Sequence, residues 1–259
     1  MPPFSIEAYC DLLEGFGRAG YRLGPLSGLA VDDGTRTVLL RHDIDLDVPS
    51  VLPMARAEAA LGVRSTFLVM VTQHYNPAYA ENVAVLRELV DAGHEVGLHY
   101  DLVGYPADPS AARRRLAREV GAVEELTGVP VRCVSMHQPH LTSGDLFRSG
   151  SGLVHPHDPA LQGDLVYVSD SCRAWRDETL LGALDAGGPR RLQLLVHPEL
   201  WLDGHVEDRE RYLDEVLLPH AGDAARTYLD RTVRQIWRDH EGALAHDARV
   251  ARARRESVP

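Results

Sequence analysis

An α/β fold with parallel strands gathered into one sheet or barrel is predicted by three features of the sequence. Six apolar runs each end in a short cluster of histidine, aspartate or hydroxyl residues, segments of helical periodicity separate the runs, and 259 residues at 44% hydrophobic content suit one α/β domain. Parallel strands linked by helices bring their carboxyl ends to one face, where active sites are built.

Taken in order, Ser5 to Ala19 places Ile6, Tyr9, Leu12, Leu13 and Phe16 at helical spacing, with Ser5 as N-cap and Gly20 as stop. The first run, Thr37 to Leu40, leads into Arg41-His42-Asp43-Ile44-Asp45, and residues 49–61 read as a helix opened by Pro49. Phe67 to Val71 leads into Thr72-Gln73-His74, with a helix over residues 80–92 that stops at Gly93. Val96 to Leu98 leads into His99-Tyr100-Asp101, followed by a helix over residues 109–127 between Pro109 and Gly128. Arg132 to Ser135 then leads into Met136-His137-Gln138-Pro139. From there to Gly163 the periodicity fails, and an irregular stretch of this length reads as a functional loop. Leu165 to Val168 ends in Ser169-Asp170-Ser171, helix returns near Asp177 to Ala186, and Leu192 to Val196 ends in His197-Pro198. Residues 206–248 read as a helical extension, and the tail beyond is polar and arginine-rich.

Composition closes several possibilities. With 27 basic against 38 acidic residues the formal charge is -11, which disfavours nucleic acid and anionic membranes as partners. Every basic residue among Lys and Arg is arginine, so chemistry through a Schiff-base or P-loop lysine is excluded. Cys10, Cys133 and Cys172 are odd in number and widely spaced, which supports neither a disulfide framework nor a thiolate zinc site. No leader pattern opens the chain, and no apolar run approaches the roughly 18 residues of a membrane span. The expectation is a soluble cytoplasmic protein, with its oligomeric state open.

The candidate chemistry sits at the strand ends. Asp43 and Asp45 flank Ile44, so in extended backbone both carboxylates face one side. Such a pair can bind a metal, divide into one ligand and one base, or cap the helix near Pro49. His94 and His99 point to opposite faces; His99 belongs to the rim and His94 to the turn before the strand. His137 is a third candidate ligand, the alternative being a loop histidine bonded to backbone. His197 has the ordinary pKa range of a proton donor, oriented by Asp170 or Asp177, with Asp170 favoured because it too ends a strand. His140, His155 and His157 lie in the irregular stretch as candidates for a lid or second site, and Tyr75, Tyr100, Trp175 and Trp201 read either as packing or as sugar-stacking surfaces.

Residues 38–198 resemble the NodB-type polysaccharide deacetylases, carbohydrate esterase family 4, in a branch written around RHDID. Leu40 to Asp45 is similar to the first family motif, Ser65-Thr66-Phe67 to the strand that follows, and Gly93 to His99 to the GHEIGxH segment. Ser135 to Pro139, Ser169 to Ser171 and Leu194 to His197 match the third, fourth and fifth motifs in order. The resemblance implies a distorted (β/α)7 barrel, here with an extra N-terminal helix and long C-terminal helices, as a single domain over residues 1–259 whose core spans about 37–200. It also implies a divalent metal, zinc by preference, with Asp43 as general base, Asp45 and His99 as metal ligands and His197 as general acid.

The chain departs from the family at Val103, where a second metal histidine is usual. His137 or Asp101 replaces it, or the metal is weakly held or missing; His137 is favoured, because the family's third-motif arginine is absent there. Arg173, just past the fourth motif, is the expected substitute for that arginine in positioning the base. The implied activity is removal of an N-acetyl group from a small amino-sugar-containing metabolite: a sugar, nucleotide sugar or aminoglycoside-like compound. The rivals are deformylation or another C–N hydrolysis on the same scaffold, and a metal-poor barrel that binds sugar without turnover.

Overall fold

The computed structural model describes residues 4–29, 32–139, 145–163, 165–173, 182, 188–204, 206, 208–220, 222 and 226. The chain divides into two compact units, Met1–Val206 and Glu207–Pro259. Trp175, His140, the expected helix near Asp177 to Ala186 and most of the expected helices after residue 206 lie outside the described residues. In the second unit, Asp208 caps a short helix at Arg209–Tyr212 that runs into a π-helical turn at Leu213–Leu217.

The first unit is built on seven strands, every pairing parallel: β1 (Arg22–Gly24), β2 (Thr37–Ile44), β3 (Thr66–Val69), β4 (Glu95–Tyr100), β5 (Val134–Met136), β6 (Leu165–Ser169) and β7 (Arg191–Val196). Their order is β5-β4-β3-β2-β7-β6. β1, absent from the sequence reading, pairs with Thr37–Leu39 on the edge of β2 whose upper half, Arg41–Ile44, pairs with β3. The result is the expected distorted barrel in half-barrel form, because no ladder among the described residues joins β5 to β6.

Most helices fall where the periodicity puts them, for local reasons. Ser5 caps α1 (Ile6–Arg18) by accepting from the Ala8 amide, and Tyr9, Leu13 and Phe16 bury its apolar stripe. A 3-10 turn at Pro49–Val51 opens α3 (Leu52–Ala60), the short α2 being Leu26–Leu29. After α4 (Ala80–Asp91), α5 (Pro109–Thr127) starts from the Asp108 cap with Pro109 at its first position. It stops at Gly128, whose φ of 78° is the left-handed conformation a helix end needs and a side chain resists.

Alternation along β2 sends Val38, Leu40, His42 and Ile44 outward and Leu39, Arg41 and Asp43 inward. Outward apolar residues pack under α1 in one cluster, with Tyr9, Phe16, Leu192 and Trp201, and under α4 and α5 in another, with Phe67, Leu86, Leu89 and Leu116. The inner side is narrow at its base. A Cβ added to Gly97 would stand 2.5 Å from the Cys133 carbonyl oxygen, so β4 passes β5 there only as glycine.

The gap beyond β5 is filled by the irregular stretch. Val154 pairs with the β5 approach through Val134 N to Val154 O, 3.0 Å, and Val154 N to Arg132 O, 2.9 Å. Two residues on, the Pro156 carbonyl accepts from the Gln193 side chain of β7 at 3.1 Å. A short α6 (Pro159–Gln162), capped by Asp158, returns the chain to β6.

Behind the sheet, side chains from α1, β2 and the turn before β3 meet at Glu58 of α3. Its Oε1 accepts from Tyr9 of α1 and from His42 Nε2, at 2.5 and 2.8 Å, and its Oε2 accepts from Ser65 at 2.6 Å. His42 Nδ1 faces the Val196 carbonyl at 3.3 Å, and His94 holds Ser65 and the Ala55 carbonyl, confirming its place away from the rim. Burial pushes the Glu58 carboxyl up, but His42 and the hydrogen bonds from His42, Ser65 and Tyr9 bring it below its ordinary value. Its contribution is therefore present above the unfolded carboxyl pKa and lost as pH falls through the lower folded one. Glu58→Ala, which strands His42 in the core without its anion, is expected to lower stability by about 3–5 kcal/mol, read as a fall in the denaturant midpoint.

Candidate active site

The carboxyl ends of β2, β4, β5 and β7 carry Asp43 and Asp45, His99, His137 and His197 around one cavity of about 880 Å³, with Asp170 at the end of β6 buried behind His197. Asp43 lies inside β2 and Asp45 just past it, so the two carboxylates share the inner face as their spacing requires. His99 reaches the same space from β4, opposite Ser135 of β5. His137 follows β5 directly, its amide donating to the Tyr100 carbonyl at 2.8 Å and so prolonging the β4–β5 ladder by one rung.

Asp45, His99 and His137 come together as one ligand group. Asp45 Oδ1 stands 3.5 Å from His99 Nε2 and 3.4 Å from His137 Nδ1, and those two nitrogens are 3.2 Å apart. Corners of a tetrahedral zinc site with bonds of about 2.0–2.1 Å lie roughly 3.3 Å from one another, so the triangle has the size zinc requires. Asp45 Oδ1 is buried without a hydrogen-bond partner, the condition of a ligand atom reserved for a cation. His99 Nδ1 donates to the Ser135 carbonyl at 3.1 Å, which leaves the Nε2 lone pair aimed at the triangle. The donor set of two imidazoles and a carboxylate therefore fits zinc, with a fourth position open to the cavity. Val103 is 70% exposed and Asp101 Oδ1 accepts the Val103 amide, so His137 occupies the place that the sequence left between them.

Asp43 is held from one side. Arg41, two residues earlier on the same face of β2, donates from Nη2 to Asp43 Oδ2 at 2.8 Å and from Nη1 to Gln193 at 3.2 Å, with both members of the ion pair buried. Asp43 Oδ1 is buried and meets no hydrogen-bond donor. Burial pushes this carboxyl up, but Arg41, then His99 and His197, hold it well below the usual carboxylate range. It stays ionised at neutral pH, at a cost in basicity.

His197 closes the opposite side. Its Nδ1 bonds Asp170 Oδ1 at 2.6 Å, its amide donates to Asp170 Oδ2 at 2.9 Å, and its Nε2 stands 3.8 Å from Asp45 Oδ2. Burial pulls its pKa down, yet the Asp170 charge and hydrogen bond, aided by Asp43 and Glu199, raise it to about 10. Asp170 is fully buried and is itself fixed by Trp201 Nε1 at 2.8 Å. Glu199, with Oε1 accepting the Asp45 amide at 3.3 Å, is pushed up to about 8 by burial and by the Asp45 charge, so it is mostly neutral at pH 7.

Arg173 does not do what the sequence reading assigned to it. Its guanidinium donates to the carbonyls of Leu200 at 3.1 Å, Asp203 and Val206, tying the turn after β6 to the turn after His197. The arginine on Asp43 is Arg41, and strand alternation was the signal for it. The proposed stacking surfaces are also otherwise engaged: Tyr75 donates to the Ile44 carbonyl, Tyr100 to Asp145, and Trp201 is buried against Asp170. Of the lid or second-site candidates, His155 is held in the fold by Asp145, whereas His157 lines the same cavity as Asp45, His99 and His137.

No protein-family model and no curated protein sequence matches the chain. Among solved structures it is similar to a family 4 acetyl xylan esterase from Clostridium thermocellum in complex with a cobalt ion, at 17% identity over 72% of this chain and 84% of that one, with a TM-score of 0.44. It is also similar to the peptidoglycan deacetylase PdaC from Bacillus subtilis, at 16% identity over 80% of this chain and 100% of that one, TM-score 0.45. A third similar structure is a CE4-family pseudoenzyme from Bacillus anthracis, at 18% identity over 71% of this chain and 62% of that one, TM-score 0.42. Likeness at this level leaves the chemistry to be read from this chain's own side chains.

In calorimetric zinc titrations near neutral pH, His99→Ala and His137→Ala are each expected to weaken affinity by more than about 100-fold, while Val103→Ala leaves it unchanged. Burial lowers and Asp45 raises the His137 pKa, with a net rise. Protons therefore compete for Nδ1, and zinc affinity increases as pH rises through that pKa.

Proposed function

We propose that this protein is a zinc-dependent N-deacetylase acting on a small amino-sugar-containing metabolite. The observation that carries the reading is the juxtaposition, in one cavity, of the Asp45–His99–His137 triangle with an ionised carboxylate on one side and a carboxylate-held histidine on the other. A zinc ion in the triangle supplies Lewis-acid polarisation of an amide carbonyl and acidification of water.

The protein groups divide the proton transfers. Asp43, which lines the cavity and has Oδ1 without a hydrogen-bond partner, accepts the proton of an attacking water; Arg41 fixes its other oxygen and keeps it ionised. Because Arg41 also weakens Asp43 as a base, the water must already be acidified when its proton moves. His197, charged at neutral pH with Nε2 toward the site, gives its proton to the departing amine nitrogen, without which the C–N bond does not break. Asp170 and Trp201 hold that imidazole in place, in the manner of an orienting carboxylate behind a catalytic histidine. An acidic chain without a lysine fits an uncharged or cationic small substrate better than a nucleic acid or an anionic membrane. Among the described residues no helix is long and apolar enough to cross a membrane.

Zinc-loaded protein is expected to release acetate from N-acetylated amino sugars, measured by enzymatic acetate detection. His197→Ala should keep its zinc and lose turnover by about 10²- to 10⁴-fold, and Asp43→Asn should likewise keep zinc and lose activity. Bound sugar without acetate in the wild-type protein would mark a binding barrel instead. Asp170→Asn removes the charge that raises the His197 pKa, so the alkaline limb of the kcat/KM profile should move down by at least about one pH unit. An unmoved limb would mean that a different group gives the proton.

A further inference from the structure

His157 lines the same cavity as the hydrolytic groups, and nothing in the proton transfers above uses it. Its place is fixed from behind. The His157 amide donates to His155 Nδ1 at 3.1 Å, and His155 Nε2 meets Asp145 at 3.0 Å and the Tyr100 hydroxyl at 3.1 Å, both of these within a buried cluster. Tyr100 directly follows His99 on β4, so the same strand that supplies a metal ligand anchors the loop. The ring of His157 stands edge-on to Tyr167 of β6, with centroids 5.6 Å apart. Among the described residues neither ring nitrogen of His157 meets a hydrogen-bond partner, though its backbone is tied so firmly.

Burial, then the nearby Arg41, lowers the His157 pKa to about 4, so the ring is neutral at working pH. A neutral imidazole offers one donor and one acceptor, the complement of a hydroxyl group, and a poor match for a phosphate or carboxylate. Its neighbours agree. Ser169 and Ser171 present a hydroxyl pair, 2.6 Å apart, on the same wall. Arg41 is the one arginine among the described lining residues, and its two terminal nitrogens are engaged by Asp43 and Gln193. The wall lacks the free cationic fork that a phosphate group recruits.

We infer that His157 is a specificity-determining residue that hydrogen-bonds a hydroxyl of the substrate, and that the cavity selects uncharged, hydroxyl-bearing amides over phosphorylated ones. This rests on the amide-hydrolase reading and narrows its substrate to an unphosphorylated sugar.

The test compares kcat and KM of zinc-loaded wild type, His157→Phe and His157→Asn on three N-acetylhexosamines, their 1-phosphates and the hydroxyl-free amide N-ethylacetamide. Wild type is expected to prefer an uncharged hexosamine. His157→Phe should lower the preference for that sugar over N-ethylacetamide by about tenfold to a hundredfold, chiefly through KM, and His157→Asn should restore part of it. Equal losses on sugar and N-ethylacetamide, a loss confined to kcat, or a wild-type preference for the phosphates would overturn the inference. Should wild type hydrolyse none of these, the deacetylase reading fails by itself, and calorimetry with the hexosamines decides the rest. Sugar binding that weakens in His157→Phe supports the role, whereas binding that is equal in both or found in neither rejects it.

Discussion

Everything at this site depends on the alternation of one strand. β2 is buried along its whole length, yet it carries Arg41, His42 and Asp43 in succession, three polar side chains where a parallel-sheet strand usually carries none. Alternation separates them onto two faces, and each face then has to supply its own neutralisation. Inside, Arg41 and Asp43 neutralise each other two residues apart; outside, His42 finds Glu58. A buried charge without a partner costs several kcal/mol, so loss of either arrangement would leave the strand unable to hold the polar inner face on which the site is built.

The two networks meet through the backbone of β7. Gln193 on its inner face receives Arg41, while the Val196 carbonyl, one residue before His197, faces His42 on the other side. Asp170 then pins His197 from β6, and Arg173 binds the turn that follows. The histidine given the proton-donating role is thus held by Asp170 through both its amide and its ring. Of the candidate ligand group, by contrast, His99 and His137 come from β4 and the end of β5, and Asp45 from the end of β2. The site is a seam between two halves of the sheet, with β2 common to both.

Much of this was legible in the sequence because period-two and period-3.6 patterns survive errors at element ends. Asp43 and Asp45 share a face whether the strand stops at Leu40 or, as found, at Ile44. The helix over Pro109–Thr127 was readable from its proline and glycine alone. His137 was legible as a candidate ligand because Val103 stands where the family's histidine would be and the third-motif arginine is absent, and it does lie with Asp45 and His99. Arg173 was misplaced because proximity to a motif in the chain was weighed above strand alternation, which already set Arg41 beside Asp43. Glu58 was invisible for a different reason: in a run of alanines and arginine it looks like a solvent-facing charge, and only long-range packing makes it the buried acceptor shared by Tyr9, His42 and Ser65. His157 likewise depends on how an aperiodic stretch is tied to β5 and β7, and no local pattern encodes that.

The open gap between β5 and β6 has an evolutionary consequence. A closed barrel transmits any change in one connection around its whole circumference, whereas here the segment from Asp145 to Gly163 spans a break that no strand ladder crosses among the described residues. Insertions, deletions and side-chain replacements in that segment can reshape one wall of the cavity while Asp43, Asp45, His99, His137 and His197 stay in register at the ends of β2, β4, β5 and β7. A change in what the cavity admits would then be made through one replaceable panel, on an unchanged frame of strands.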